Sequence, residues 1–133
     1  MKKEIPVERV RTILVVEDDV LIRMPIAAYL RECGYRVVEA ADADEALTVL
    51  AVNEIQISVV FAAAELAGSM DGFSLCQWVQ KDFPGIKIML AGTPKRAAEV
   101  AGELCNEGPQ QPYGSELVEH LIRRLLATRP GSS

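Results

Sequence analysis

The segment RTILVVEDDVLIRMPIAAYLRECGYRVVEA, residues 11–40, contains two short apolar runs separated by a helical pattern. The β-branched run from Thr12 to Val16 is typical of a buried strand, and a second strand is predicted from Tyr35 to Ala40. Between them, apolar side chains recur at helical spacing. Asp19 is placed to cap the start of this helix, and Gly34 is placed to end it. Strand, helix and strand joined by short connections predict parallel strands covered by a helix.

The same alternation continues along the rest of the chain. The later elements are predicted as a helix over 42–53, a strand over 55–61, a helix over 73–82, a strand over 86–90, a helix over 94–104, a weak polar strand within 105–112 and a last helix over 115–127 with Ser115 as its N-cap. Five strands alternating with helices predict an α/β fold, with a doubly wound five-stranded parallel sheet and helices on both faces. In such sheets the functional crevice lies beyond the carboxyl ends of the strands.

Composition narrows the class of protein. The chain has 133 residues, which predicts one domain over 11–127, flanked by tails at 1–10 and 128–133. Its net charge of −5 argues against nucleic-acid binding through phosphate neutralisation. No apolar run approaches the ~20 residues that span a membrane, and the charged N-terminus lacks the apolar core of a signal peptide. We therefore expect a cytoplasmic protein without nucleic-acid or membrane partners.

Four motifs occur in a defined order along the chain. They are ILVVEDD at 13–19 with Arg23 downstream, GYRVVEA at 34–40, MDG at 70–72, and Pro112-Tyr113 before the last helix. With these motifs in this order, residues 11–127 resemble the receiver domain of two-component response regulators. The resemblance implies a flavodoxin-like sheet with strand order 2-1-3-4-5.

The resemblance also implies a chemistry. Receivers accept a phosphoryl group on an aspartate at the end of the third strand, where that aspartate and an acidic pair after the first strand hold Mg²⁺. A threonine or serine after the fourth strand and a lysine after the fifth bind the phosphoryl group. An aromatic residue in the fifth strand then changes rotamer and alters the face that partners bind.

Most of these functional positions fall on other residue types in this chain. The resemblance places the metal-binding pair at Glu17 and Asp18, the phospho-acceptor at Ala63, the threonine or serine at Ala91, the lysine at Gln111 and the switch aromatic at Gly108. Ala62 and Ala64 are alanine too, so a shift of one residue does not restore an acceptor. Without a third carboxylate, Glu17 and Asp18 would hold Mg²⁺ only weakly. They are a vestigial metal site, or simply acids that cap the top of the sheet, and no other cofactor is expected.

Phosphoryl transfer needs a nucleophilic carboxylate, which an alanine methyl group cannot replace. The sequence therefore predicts no catalytic residue and no enzyme, but a degenerate, phosphorylation-independent receiver that serves as a protein-interaction module in two-component signalling. Its partner would be a histidine kinase, a phosphotransferase, another regulator or a second copy of the chain. The alternative is a small-ligand sensor that uses the vestigial pocket near Ala63 and Ala91.

The last helix carries a broad apolar stripe. A stripe wider than one sheet contact requires indicates either that part of it faces a partner or that all of it is buried against the sheet. The candidate partner-binding residues are Leu117, Val118, Leu121, Ile122 and Leu125.

Overall fold

Strands and helices alternate in the order that the sequence predicts. A computed structural model describes residues 10–52, 54–92, 106–107 and 114–127. The elements are β1 (Thr12–Val16), α1 (Val20–Glu32), β2 (Arg36–Ala40), α2 (Ala43–Leu50), β3 (Val59–Ala63), α3 (Gly72–Asp82), β4 (Lys87–Ala91), β5 (Asn106–Glu107) and α4 (Ser115–Leu126). All strands pair in parallel, in the order β2-β1-β3-β4-β5. The predicted flavodoxin-like sheet is confirmed.

The central strands are buried on both faces, which is why they read as continuous apolar runs. Every residue of β1 and β3 is buried. Because successive side chains of a strand point to opposite faces, the core divides into two clusters. Leu14 and Val60 belong to the cluster that includes side chains of α2 and α3, whereas Ile13 and Phe61 belong to the cluster that includes side chains of α1 and α4. The helices therefore cover both faces of the sheet.

Side-chain caps begin the first three helices. Asp19 Oδ1 accepts a hydrogen bond from the backbone N–H of Leu21 at 2.9 Å. Asp42 and Asp71 cap α2 and α3 in the same way. The predicted cap at Asp19 is confirmed.

The start of the last helix differs from the prediction. The N-cap of α4 is Gly114, and it makes no side-chain capping hydrogen bond. Its backbone is extended, with φ −99° and ψ 163°, whereas Ser115 is already helical. Ser115 as N-cap was therefore wrong by one residue.

The third strand lies further along the chain than the sequence predicts. The prediction was 55–61, but β3 covers Val59–Ala63. Its register with β4 runs from Val59 opposite Lys87 to Ala63 opposite Ala91. Alanine has a weak preference for strands, but hydrogen bonding to two neighbouring strands overrides that preference here. The strand therefore carries its alanines to the carboxyl edge of the sheet.

Several predictions fall partly or wholly on residues outside the described ranges. The helix predicted over 94–104 is one, together with most of both predicted tails. The weak fifth strand is present as Asn106–Glu107, paired with Met89 and Leu90 of β4. Within the described ranges, no helix combines the length and apolar character needed to cross a bilayer.

Candidate functional site

A cleft of about 690 Å³ opens at the carboxyl edge of the sheet. The ends of β1, β3 and β4 and the segments that follow them form its walls. The residues that line it are Glu17, Asp18, Asp19, Ile22, Ala63, Ala64, Glu65, Leu66, Ala67, Ala91 and Gly92. This edge is where doubly wound sheets place their ligand sites. The structure thus brings together the predicted positions Glu17, Asp18, Ala63 and Ala91.

Alanine methyl groups form the inner part of the cleft. Ala63 and Ala91 are direct partners in the register of β3 and β4, and they are 5% and 1% exposed. Just beyond them, the N–H of Ala64 donates to the carbonyl of Ala91 at 2.8 Å. A methyl group is neither a nucleophile nor a hydrogen-bonding group. This wall can therefore pack against a ligand but cannot react with one.

The glycine of the MDG motif holds α3 against the end of β3. Gly72 donates its N–H to the carbonyl of Ala64 at 2.9 Å. A Cβ at Gly72 would lie 1.8 Å from the carbonyl oxygen of Ala63, far inside van der Waals contact. Only glycine allows this close approach, and the approach fixes the backbone of the alanine wall.

Glu17 is a buried carboxylate at the end of β1. It is 4% exposed, and its Oε2 accepts from the backbone N–H of Asp19 at 2.9 Å. Its Oε1 has no hydrogen-bond partner in the described part of the chain. Burial raises the pKa of Glu17; the hydrogen bond from Asp19 opposes that rise, and the neighbouring Asp18 adds to it. A buried carboxylate with one unpaired oxygen is a costly arrangement that a ligand could relieve.

Asp18 has a structural role that its position in the acidic pair does not reveal. Its side chain is exposed, and its Oδ2 accepts from the backbone N–H of Ala67 at 2.9 Å. This bond joins the segment after β1 to the segment after β3 across the cleft. Arg23 supports the same corner, because it donates to the carbonyl of Glu17 at 2.8 Å and to Glu39 at 3.0 Å.

The Mg²⁺ ion implied by the resemblance does not fit the donors of this cleft. Mg²⁺ requires a near-octahedral shell of oxygen atoms. Glu17 and Asp18 supply two carboxylates, and one oxygen of Asp18 already accepts from Ala67. Across the described ranges, no three acidic, histidine or cysteine side chains are grouped so that they could hold a metal ion. Glu65 lines the cleft but does not complete such a group.

The two remaining predicted switch positions, Gln111 and Gly108, lie outside the described residues.

The structure corrects the predicted partner surface on α4. Val118 and Ile122 are 0% exposed and belong to the core cluster where α4 meets α1 and β4, so neither side chain is available to a partner. Leu121 and Leu125 are partly buried against the same cluster. Leu117 is 45% exposed. Sequence periodicity alone does not show how deeply a helix sits on its sheet, so it does not separate a partner-facing side chain from a buried one.

A buried polar cluster at α4 was missed. Glu119 is 5% exposed and accepts hydrogen bonds from the Tyr35 hydroxyl and from Nε of Arg123, both at 3.1 Å. The hydrogen bond from Arg123 holds the pKa of Glu119 below its usual value, whereas burial raises the pKa of Tyr35 to about 12. We name this the Tyr35–Glu119–Arg123 cluster. The spacing of Glu119 and Arg123, four residues apart on one helix, was the available signal.

Comparison with known proteins agrees with the family resemblance seen in the sequence. Residues 13–110 match the family model of the response regulator receiver domain. The chain is 32% identical over 118 residues to the probable transcriptional regulator ycf27 of Cyanophora paradoxa, covering 87% of this chain and 48% of that protein. It is 28% identical over 116 residues to the putative response regulator NtrX-like of Rickettsia bellii, covering 84% of this chain and 24% of that protein. The chain therefore spans half or less of the length of these curated relatives.

Solved structures show the same similarity. The receiver domain of NtrX from Brucella abortus superimposes with a TM-score of 0.78 at 29% identity, covering 88% of this chain and 99% of that one. A CheY-like receiver domain protein from Methanospirillum hungatei superimposes with a TM-score of 0.78 at 23% identity, covering 88% of this chain and 94% of that one. At that identity the second similarity concerns the fold alone.

Proposed function

The chain belongs to the response regulator receiver domain family, and from this we propose that it works in two-component signalling as a protein-interaction module that is not phosphorylated. Family membership supports a role in two-component signal transduction. The independence from phosphorylation is our own inference from the residues of the cleft.

One observation carries the proposal: the end of β3 holds only alanines. Ala62, Ala63 and Ala64 are buried, and they occupy the positions where the resemblance expects the acceptor carboxylate. Transfer from a phosphorylated donor needs a nucleophile, a divalent cation and a compensating positive charge. A methyl group supplies no nucleophile, and the described donors of the cleft do not fit the cation.

The replacements at the acceptor, lysine and threonine or serine positions are compatible with one another. Removing one member of a buried charged pair leaves the other unpaired, at a cost of about 3–5 kcal/mol. If Ala63 stands at the acceptor position and Gln111 at the lysine position, both members of that pair are absent and the cost is avoided. Ala91 at the threonine or serine position removes the hydroxyl that would bind the phosphoryl group. This pattern favours a stable inactive receiver over one with a single damaged position.

The proposed module is a non-enzymatic cytoplasmic domain over residues 11–127. Its partner is a histidine kinase, a phosphotransferase, another regulator or a second copy of the chain. Among the candidate partner-binding residues, the corrected surface retains Leu117 with the partly buried Leu121 and Leu125. Glu17 and Asp18 are proposed as the remnant of a metal site rather than as a working one.

The test is exposure to phosphoryl donors and their mimic. We expect no mass increase with acetyl phosphate and Mg²⁺, and no change in amide chemical shifts at Ala64 and Gly92 with beryllofluoride and Mg²⁺. A phosphorylatable receiver treated in parallel serves as the positive control. A stable, Mg²⁺-dependent acyl phosphate located by mass spectrometry on any residue of this chain would contradict the proposal.

A second candidate is a small-ligand sensor, and the shape of the cleft favours it. A volume of about 690 Å³ with methyl groups at its inner wall leaves room for an organic molecule. A ligand that binds only the folded state raises stability by RT ln(1 + [L]/Kd). A thermal-shift screen of small metabolites therefore distinguishes the sensor, which responds, from a pure interaction module, which does not.

A further inference from the structure

We propose that the cleft binds a small organic cation, a primary ammonium group on a short apolar chain, with Glu17 as its counter-charge. This develops the small-ligand candidate. It does not depend on whether the domain also binds a protein partner.

The first observation is the unpaired oxygen of Glu17. The side chain is 4% exposed and lines the cleft, and its Oε1 lacks a hydrogen-bond donor in the part of the chain that the structure describes. Buried carboxylate oxygens are almost always paired, so Glu17 has an acceptor oxygen behind the cleft wall that no donor of the described residues satisfies. An ammonium group supplies both the N–H donor and the compensating positive charge.

The second observation is the negative charge of the other side chains that line the cleft. Asp18, Asp19 and Glu65 also line the cleft, and its described lining contains no lysine or arginine. The nearby guanidinium of Arg23 is directed to Glu39 and to a backbone carbonyl. A phosphate or nucleotide would meet like charge, whereas a cation is attracted.

The third observation separates an organic cation from a metal ion. A hard dication needs a complete oxygen shell, which the described donors do not provide. An alkylammonium ion needs one strong acceptor and an apolar surface for its chain. Ile22, which is partly exposed, provides most of that surface beside Glu17, because Ala63 and Ala91 are 5% and 1% exposed.

The experiment titrates the protein with n-butylammonium chloride and follows amide chemical shifts at constant ionic strength. We expect saturable shifts concentrated at Asp18, Ala64 and Ala67, which border the cleft. Tetramethylammonium chloride is the matched ligand control, because it carries the charge without an N–H donor, and MgCl₂ tests the metal. Neither should reproduce the n-butylammonium shifts.

Two variants assign the binding to Glu17. Glu17→Gln keeps the side-chain shape and can still accept from Asp19, so we expect a fold like the wild type and binding weaker by on the order of tenfold. Asp44→Asn removes an exposed carboxylate from the start of α2, away from the cleft, and should bind as the wild type does.

Each outcome decides the matter. Saturable shifts that need an N–H donor and weaken in Glu17→Gln support the proposal. If Glu17→Gln does not fold, the wild-type shift map and the tetramethylammonium control still decide. The proposal is overturned if n-butylammonium causes no amide shifts, or shifts scattered over the surface. It is also overturned if tetramethylammonium causes equal shifts, or if Mg²⁺ alone shifts the amides at the cleft. None of these results concerns phosphorylation, so failure of this proposal would leave the proposed interaction module to be tested separately with phosphoryl donors.

Discussion

The proposed inactive state depends on one residue, Ala63. Its methyl group and the carboxylate of Glu17 line the same cleft, and both residues are nearly fully buried. Ala63→Asp would place a further carboxylate near Glu17 and Asp18. Like charges at close range raise the pKa of at least one acid and destabilise the fold. We expect Mg²⁺ to relieve this repulsion, so the melting temperature of the variant rises with Mg²⁺ while that of the wild type does not.

Calorimetry with and without Mg²⁺ measures this difference. Ala63→Asn is the matched control, because it has nearly the size of aspartate without its charge and should show no response to Mg²⁺. If Ala63→Asp binds Mg²⁺ no better than Ala63→Asn, then Ala63 does not stand at the acceptor position or Glu17 and Asp18 are not a metal pair.

Gly72 permits a second test at the level of a single residue. Its hydrogen atom faces the carbonyl oxygen of Ala63, where a Cβ would lie at 1.8 Å. Gly72→Ala must therefore displace the start of α3 or the end of β3, and we expect a loss of about 1–3 kcal/mol in the free energy of unfolding. Urea denaturation measures it. Gly85→Ala is the control, because a Cβ there meets nothing within 4 Å. Equal effects of the two substitutions would show that the close approach is not rigid.

Strands and helices could be predicted where the nearby residues alone determine their type and their ends. The alternation of strands and helices and the cap at Asp19 followed from short segments of sequence, whereas the sheet order followed from the family resemblance. The position of β3 did not, because pairing with two neighbouring strands extends it through Ala62 and Ala63. The burial of Val118 and Ile122 could not be predicted from the sequence either. The depth at which a helix sits on a sheet depends on the surface of the sheet and of the neighbouring helix, not on the helix alone.

The Tyr35–Glu119–Arg123 cluster links α4 to the residue that precedes β2. Glu119→Gln removes the charge that Tyr35 and Arg123 both contact. We expect the free energy of unfolding at pH 7 to fall by about 1–2 kcal/mol, and not by more, because water screens the exposed side of Arg123. The pKa of Glu119 is lower in the folded protein than in the unfolded chain. The stability that it contributes is therefore present above the unfolded value of about 4.3 and is lost as the pH falls through the folded value.

Urea denaturation of wild type and Glu119→Gln from pH 7 to pH 3 tests this sign. We expect the difference in unfolding free energy between the two proteins to shrink as the pH decreases. Glu116→Gln is the control on the same helix, because Glu116 is exposed and its replacement should leave stability nearly unchanged. A wild-type advantage that stays constant down to pH 3 would mean that Glu119 is not ion-paired in the folded protein.

At the scale of the whole molecule, the sequence located the cleft but not its electrostatics. The resemblance placed Glu17, Asp18, Ala63 and Ala91 at one edge, and the structure brings them together. The orphan oxygen of Glu17 and the bond from Ala67 to Asp18 depend on how two loops pack, which no local pattern encodes. The electrostatics of the cleft therefore depend in part on a contact between residues distant in sequence.

The last prediction concerns association of the whole domain through α4. Leu117 is 45% exposed, whereas its neighbour Val118 is fully buried, so adjacent positions on one helix separate surface from core. If a second copy is the partner, Leu117→Glu should abolish self-association while changing the unfolding free energy by no more than about 0.5 kcal/mol. Val118→Glu would bury a charge in the core and should unfold the protein. Sedimentation velocity over a range of concentrations measures the association. Gln77→Glu adds the same charge at an exposed position of α3, on the opposite face of the sheet, and should associate like the wild type. A wild type that remains monomeric at the highest concentration would exclude the second copy as partner.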